Sequence, residues 1–366
     1  MSPADALEAG LADRVARELS LLRPTRLTID SVAWGNGPDV DKMWIPDETV
    51  PLWGTPEYAS LTAEQKRRYN HYYALQKAES FVWTEQNLII VPLERLLRAA
   101  IPPSLRALIE SFVADERHHV AAISRLLRLA RPDLYGERIS CFFRPPLKFR
   151  LVTALMTAFP RLLSSWCLLI CVLEENTITF AQLYRQAGDK VDRLFAEVYA
   201  LHAQDEGRHC KLDALFCEWL LAGGAGWRRW INARLLTQAF AAYFDTGWGL
   251  EAPIRHLVAD FPELRDRGPA LLRRTLETRS PVLAQQLIDR GNAPISSKMA
   301  EKFGTHRLGE ELVRLEVRVL LVDLIAELDE HLLVGRCRGR DAGRHDGERQ
   351  DHDDESLGCT HEESYS

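Results

Sequence analysis

The chain has 366 residues, 46% of them hydrophobic, and 46 basic residues set against 52 acidic ones for a net charge of −6. That balance gives no broad attraction to polyanions, so neither a nucleic-acid partner nor a membrane partner is expected. The seven cysteines (Cys141, Cys167, Cys171, Cys210, Cys217, Cys337 and Cys359) are odd in number and contain no C-x-x-C pair, which excludes a disulfide framework and a cysteine zinc site as readings and favours reduced thiols. Asp5 and Glu8 stand where a secretory signal would carry basic residues, so the expected location is cytoplasmic.

In chain order, Leu7, Leu11, Val15, Leu19 and Leu22 recur at three or four and predict a helix over 3–22. From Arg23 to about Ser60 the chain is rich in Pro, Gly and Trp, which reads as an arm laid over a domain; residues 1–60 form this amino-terminal region. Residues 61–335 form the main helical domain. Four long segments of helical period follow one another, at about 63–99, 103–131, 147–187 and 189–222. Pro102 and Pro103 suit a helix start, Gly188 and Gly223 suit helix stops, and Pro92 and Pro160 are placed to kink or split their segments. The apolar run Leu162 to Leu173 is short of the roughly 20 residues a membrane span needs and reads as a buried helix. Further amphipathic segments are expected at 227–247, 249–288 with interruptions, and 305–335. No alternating strand pattern occurs, so the fold class is all-α. Residues 336–366 have almost no large apolar side chains and read as a disordered charged tail.

Two pentads carry the chemistry: Asp115-Glu116-Arg117-His118-His119 and Asp205-Glu206-Gly207-Arg208-His209, both D-E-x-x-H. Residues three apart on a helix share a face, so each Glu and His can bind one metal ion together. A single E-x-x-H is a common accident of helix composition; two on long helices match a metal-pair pattern, which also needs one lone acid from each of two other helices. Glu85, set among Phe81, Val82, Trp83 and Leu88, is the inward acid of the first helix, whereas Glu94, nine residues on, faces the opposite side. On the third helix Glu174 and Glu175 follow the apolar run, and periodicity does not separate them. His202 lies on the Glu206–His209 stripe, one turn earlier, and is a further expected ligand. Asp115 and Asp205 are expected to accept the second ring N–H of the bound histidines, across the bundle.

The run His202, Glu206, His209 resembles the ferritin-like di-iron N-oxygenases that act on aminobenzoate and arylamines in the aureothin and chloramphenicol pathways. What sets that family apart is a histidine one turn ahead of the last E-x-x-H. The resemblance implies a ferritin-like four-helix bundle with additional flanking helices. It also implies two iron ions held by Glu85, Glu116, His119, Glu175, His202, Glu206 and His209, with Glu175 preferred because its 27-residue gap to His202 is similar to the family's. It further implies dioxygen as co-substrate, N-oxygenation of a small amine to hydroxylamine, nitroso or nitro product in antibiotic biosynthesis, and a homodimer. With no flavin, NAD or iron–sulfur motif in the chain, an external electron donor is expected. C–H hydroxylation, desaturation and iron oxidation are the rival activities the same metal core could support.

Overall fold

The computed structural model describes residues 13–21, 23–221, 226–244 and 249–278. All belong to one compact unit, Met1–Val313. The expected helix at 305–335 and the carboxyl-terminal tail lie outside the described residues. So does part of the first expected helix, of which residues 13–20 are helical.

Helix α1 (Ala63–Thr84) starts at a reciprocal cap: Thr62 Oγ1 accepts the Gln65 N–H and Gln65 Oε1 accepts the Thr62 N–H. It runs into a π-helical stretch, Glu85–Ile90, and then α2 (Val91–Leu97). The sequence predicts a disturbance at Pro92, and the structure places it just upstream. Pro92 has no N–H to give the carbonyl of Leu88, and the widened turn takes up the mismatch. Helix α3 (Pro103–Ala130) begins on a proline. The third predicted segment is two helices, α4 (Leu147–Ala158) and α5 (Trp166–Ala187), parted around Pro160. Gly188, with φ of 54°, ends α5 in a conformation that side chains with a Cβ rarely adopt. Then come α6 (Arg193–Leu221), α7 (Gly226–Phe244), α8 (Glu251–Asp260) and α9 (Gly268–Thr278). The described residues contain no strand, and the fold is the all-α, ferritin-like bundle.

The residues Trp166–Lys190 are long and apolar enough to cross a membrane, yet 78% of the apolar 18-residue window within them is buried inside the protein, as in the core helix of a bundle. Part of the Pro- and Trp-rich stretch packs on the bundle. Trp44 is buried, its backbone N–H and that of Ile45 are accepted by Asn70 Oδ1 (2.8 and 3.1 Å), and Tyr184 donates to the Trp44 carbonyl at 2.9 Å.

Two apolar cores lie along the bundle, and a polar layer separates them. On α3, Phe112 and Val113 belong to one core and Ala122 and Ile123 to the other, with Asp115, Glu116 and His119 between. On α6, Val198 and Tyr199 belong to one and Leu212 and Leu215 to the other, with His202, Asp205, Glu206 and His209 between. Both D-E-x-x-H motifs therefore sit at one level of the bundle, closed off from water on either side.

Candidate metal centre

The polar layer gathers two sets of potential ligands whose donor atoms lie within 4.8 Å of one another: Glu85, His119, His202 and Glu206, and Glu116, His119, Glu206 and His209. All six residues are buried. Glu85 opens the π-helical stretch after α1, where the wider turn resets the helical register. Its rival Glu94 points away and pairs with Arg117 at 2.5 Å. His118 is exposed while His119 is buried, as the spacing of the first motif requires.

The carboxylates and imidazoles crowd without satisfying one another. His202 Nε2 is 2.5 Å from Glu206 Oε1 and 3.2 Å from Glu85 Oε1, and His209 Nδ1 is 2.8 Å from Glu116 Oε1. Yet both oxygens of Glu85 and Glu116, Oε2 of Glu206, both nitrogens of His202, and Nδ1 of His119 and His209 have no partner in hydrogen-bond geometry. Buried Glu79 shows what a structural carboxylate looks like in this protein: it accepts from the N–H groups of Cys141, Phe142 and Phe143 and from Tyr135 Oη. An unpaired buried charge is costly, and lone pairs converging on shared points fit cations. The donor set, carboxylate oxygens with imidazole nitrogens and no thiolate, suits iron or manganese.

The crowded groups also shift one another's charge. Burial pushes the Glu85 carboxyl up to about 7, against the pull of His202. Burial opposes the charge on His202, but Glu206 and Glu85 outweigh it and raise the imidazole to about 10. Glu206 is held below the usual carboxylate range by His202 and His209 despite its burial.

The histidines are held from behind. His119 Nε2 stands 3.1 Å from Asp205 Oδ2 and His209 Nε2 stands 3.3 Å from Asp115 Oδ2, so each aspartate of one motif braces the histidine of the other. The sequence expects aspartates in this role; it gives no sign of what holds the aspartates. Asp205 accepts the backbone N–H groups of Arg26 and Leu27 (2.8 and 2.9 Å), and Asp115 accepts from Thr25 Oγ1 and from Arg208 at 2.5 Å. Arg208 also donates to the Arg23 carbonyl at 2.7 Å, which ties residues 23–27 of the arm across both motifs.

Helix α5 presents its two glutamates differently. Neither Glu174 nor Glu175 is in the two gathered sets. Glu174 is buried with neither oxygen in hydrogen-bond geometry, and its carboxyl is raised by burial and then by Asp213, Glu206, Cys210 and Glu116. Half-buried Glu175 acts on the thiols of Cys171 and of Cys210, the neighbour of His209. Asp213, one turn after His209 and also buried, is a site neighbour that spacing alone did not single out.

A protein-family model described as P-aminobenzoate N-oxygenase AurF matches residues 18–258. No curated protein matches the chain. The matched span begins ahead of the residues 23–27 that brace the aspartates and runs through the π-helical stretch, α3 and α6, which carry the gathered residues, and through α5.

Proposed function

We propose, for a chain that belongs to the p-aminobenzoate N-oxygenase family and is an N-oxygenase, that Glu85, Glu116, His119, His202, Glu206 and His209, with a glutamate of α5, hold two iron ions. Dioxygen is the co-substrate and a small arylamine the substrate, its nitrogen ending as hydroxylamine, nitroso or nitro, in a pathway such as antibiotic biosynthesis. The observation that carries the reading is the set of buried, unsatisfied carboxylate and imidazole donors that converge between two apolar cores.

The bound pair would supply redox equivalents and open coordination positions for dioxygen. The chain's own residues do the rest. Glu206 and His119 occur in both gathered sets; His119, with one inward nitrogen, would serve only one ion, while the two oxygens of Glu206 could serve both. Asp205 and Asp115 fix which ring nitrogen of His119 and His209 faces inward. The apolar cores on either side keep bulk water from the layer, which strengthens every charge interaction inside it. Glu174 is the α5 carboxylate we assign to the second set, in place of the Glu175 that the family spacing implies, because it is the fully buried one of the two and the charges of Glu206 and Glu116 act on it.

Metal analysis of the purified protein tests the reading, followed by mass spectrometry of products from a panel of arylamines supplied with dioxygen and a chemical reductant. About two irons per chain and oxygen added at nitrogen are expected. Metal-free protein with full turnover, or oxygen added only at carbon, would overturn it.

A further inference from the structure

The net charge of −6 hides a surface of opposite character. On residues 147–165 and 226–244, Lys148, Arg150, Arg161 and Arg234 are exposed and Arg228 is half-buried, and neither stretch contains an acidic residue. Helices α4 and α7 pack against each other, and Arg228 and Asn232 donate to the Leu162 carbonyl (3.2 and 2.9 Å), tying α7 to the segment that follows α4. On this face Leu147, Leu151, Leu155 and Phe159 recur every four residues, and Trp227 and Trp230 stand on α7. All six are 47 to 66% exposed. Single exposed apolar residues are ordinary, but a stripe of leucine and phenylalanine beside two tryptophans and a basic rim marks an interaction surface.

Its charge selects the partner. In a two-fold pairing of identical copies this face would meet itself, basic residues against basic residues, with no acid in either segment to compensate. An acidic partner removes that conflict. Position selects the partner's task. Phe149, on the buried side of α4, meets the Trp83 ring at 5.7 Å, and Trp83 is two residues from Glu85; α4 also packs on the π-helical stretch that Glu85 opens. The exposed face is thus one helix away from the gathered ligands.

We propose that the α4–α7 face docks a small acidic electron-transfer protein, which passes electrons toward the Glu85 side of the centre. This rests on the iron assignment above. Two donor molecules, docking in succession, would each give up one electron and be oxidised, and each of two ferric ions would gain one to become ferrous; no atom is transferred.

The test uses the full-length protein and a plant-type acidic [2Fe–2S] ferredoxin as probe. Binding is measured by calorimetry on iron-free and iron-loaded protein, and reduction of the loaded protein by anaerobic stopped flow with either reduced ferredoxin or dithionite. Lys148→Glu with Arg150→Glu, and separately Leu151→Ser, are expected to weaken ferredoxin binding and slow ferredoxin-driven reduction by at least about tenfold, leaving dithionite reduction unchanged. Wild-type binding is expected to weaken with added salt. Unchanged ferredoxin binding and reduction in both variants would overturn the proposal. So would a wild-type dimer that the variants convert to monomers, which makes the face a self-interface, or variant-sensitive binding to phosphatidylglycerol vesicles without any ferredoxin effect, which makes it a lipid surface. Should the protein hold no iron, the metal assignment fails while calorimetry on the iron-free protein still decides the docking surface.

Discussion

His119 on α3 and Asp205 on α6 are joined across the bundle, 3.1 Å from Nε2 to Oδ2, although 86 residues separate them in the chain. Because His119 Nδ1 is turned toward Glu116 and Glu206 and an ionised carboxylate can only accept, the Nε2–H is the donor. The converse pair, His209 with Asp115, completes a cross-brace. Neither D-E-x-x-H motif therefore works alone: each histidine takes its orientation from the other helix.

Asp205→Asn keeps the shape of this brace and removes its charge. Metal affinity is expected to fall by about 10- to 100-fold, the range typical when the partner behind a metal-bound histidine is lost. Competition against a coloured chelator, with Co(II) as the reporter ion, reads this directly. An affinity equal to wild type would show that Asp205 does not orient the ligand.

The strap has its own signature. Arg208→Ala deletes the charge-assisted bond to Asp115 and the bond to the Arg23 carbonyl, and Thr25→Val deletes the hydroxyl donor on the other Asp115 oxygen. Each change is expected to cost about 1–2 kcal/mol in urea unfolding of the iron-free protein. Asp205, held by backbone N–H groups, is left in place. Full stability in the double variant would mean that residues 23–27 rest on the bundle without bracing it.

The two α5 glutamates separate by metal count. Glu174→Ala is expected to reduce the protein to about one tightly held iron per chain, since removing a ligand leaves one half of the pair short, while Glu175→Ala retains both. The opposite pattern would return the ligand to Glu175, as the family spacing implies.

Stability should also depend on pH through a histidine far from the metals. His71 is buried, stacks on Trp44 at 3.9 Å, has its Nε2 2.8 Å from the Lys42 carbonyl, and is pushed down from 6.5 to about 4, chiefly by burial. Between those values the unfolded chain takes up a proton that the folded chain refuses. Stability is therefore lost as pH falls from 6.5 toward 4, by up to about 3 kcal/mol. In denaturant titrations across that window, His71→Asn should show a shallower slope; an identical slope would remove His71 as the cause.

The all-α class, the four long segments and the six gathered residues were legible in the chain itself, because helical period and the three- and four-residue spacing of Glu and His are local properties. Glu85 could be told from Glu94 for the same reason, since nine residues turn a helix about halfway round. The choice between Glu174 and Glu175 was not legible: both border the same apolar run, and which one faces Glu116 and Glu206 depends on how α5 is rotated against α6. The strap from Thr25 to Leu27 gave no signal at all, because a hydroxyl and two backbone N–H groups become donors to Asp115 and Asp205 only when the arm is laid across them. Local periodicity fixed which residues could meet; the packing of distant helices and the arm decided which of them do, since contacts between far-separated segments leave no spacing to read.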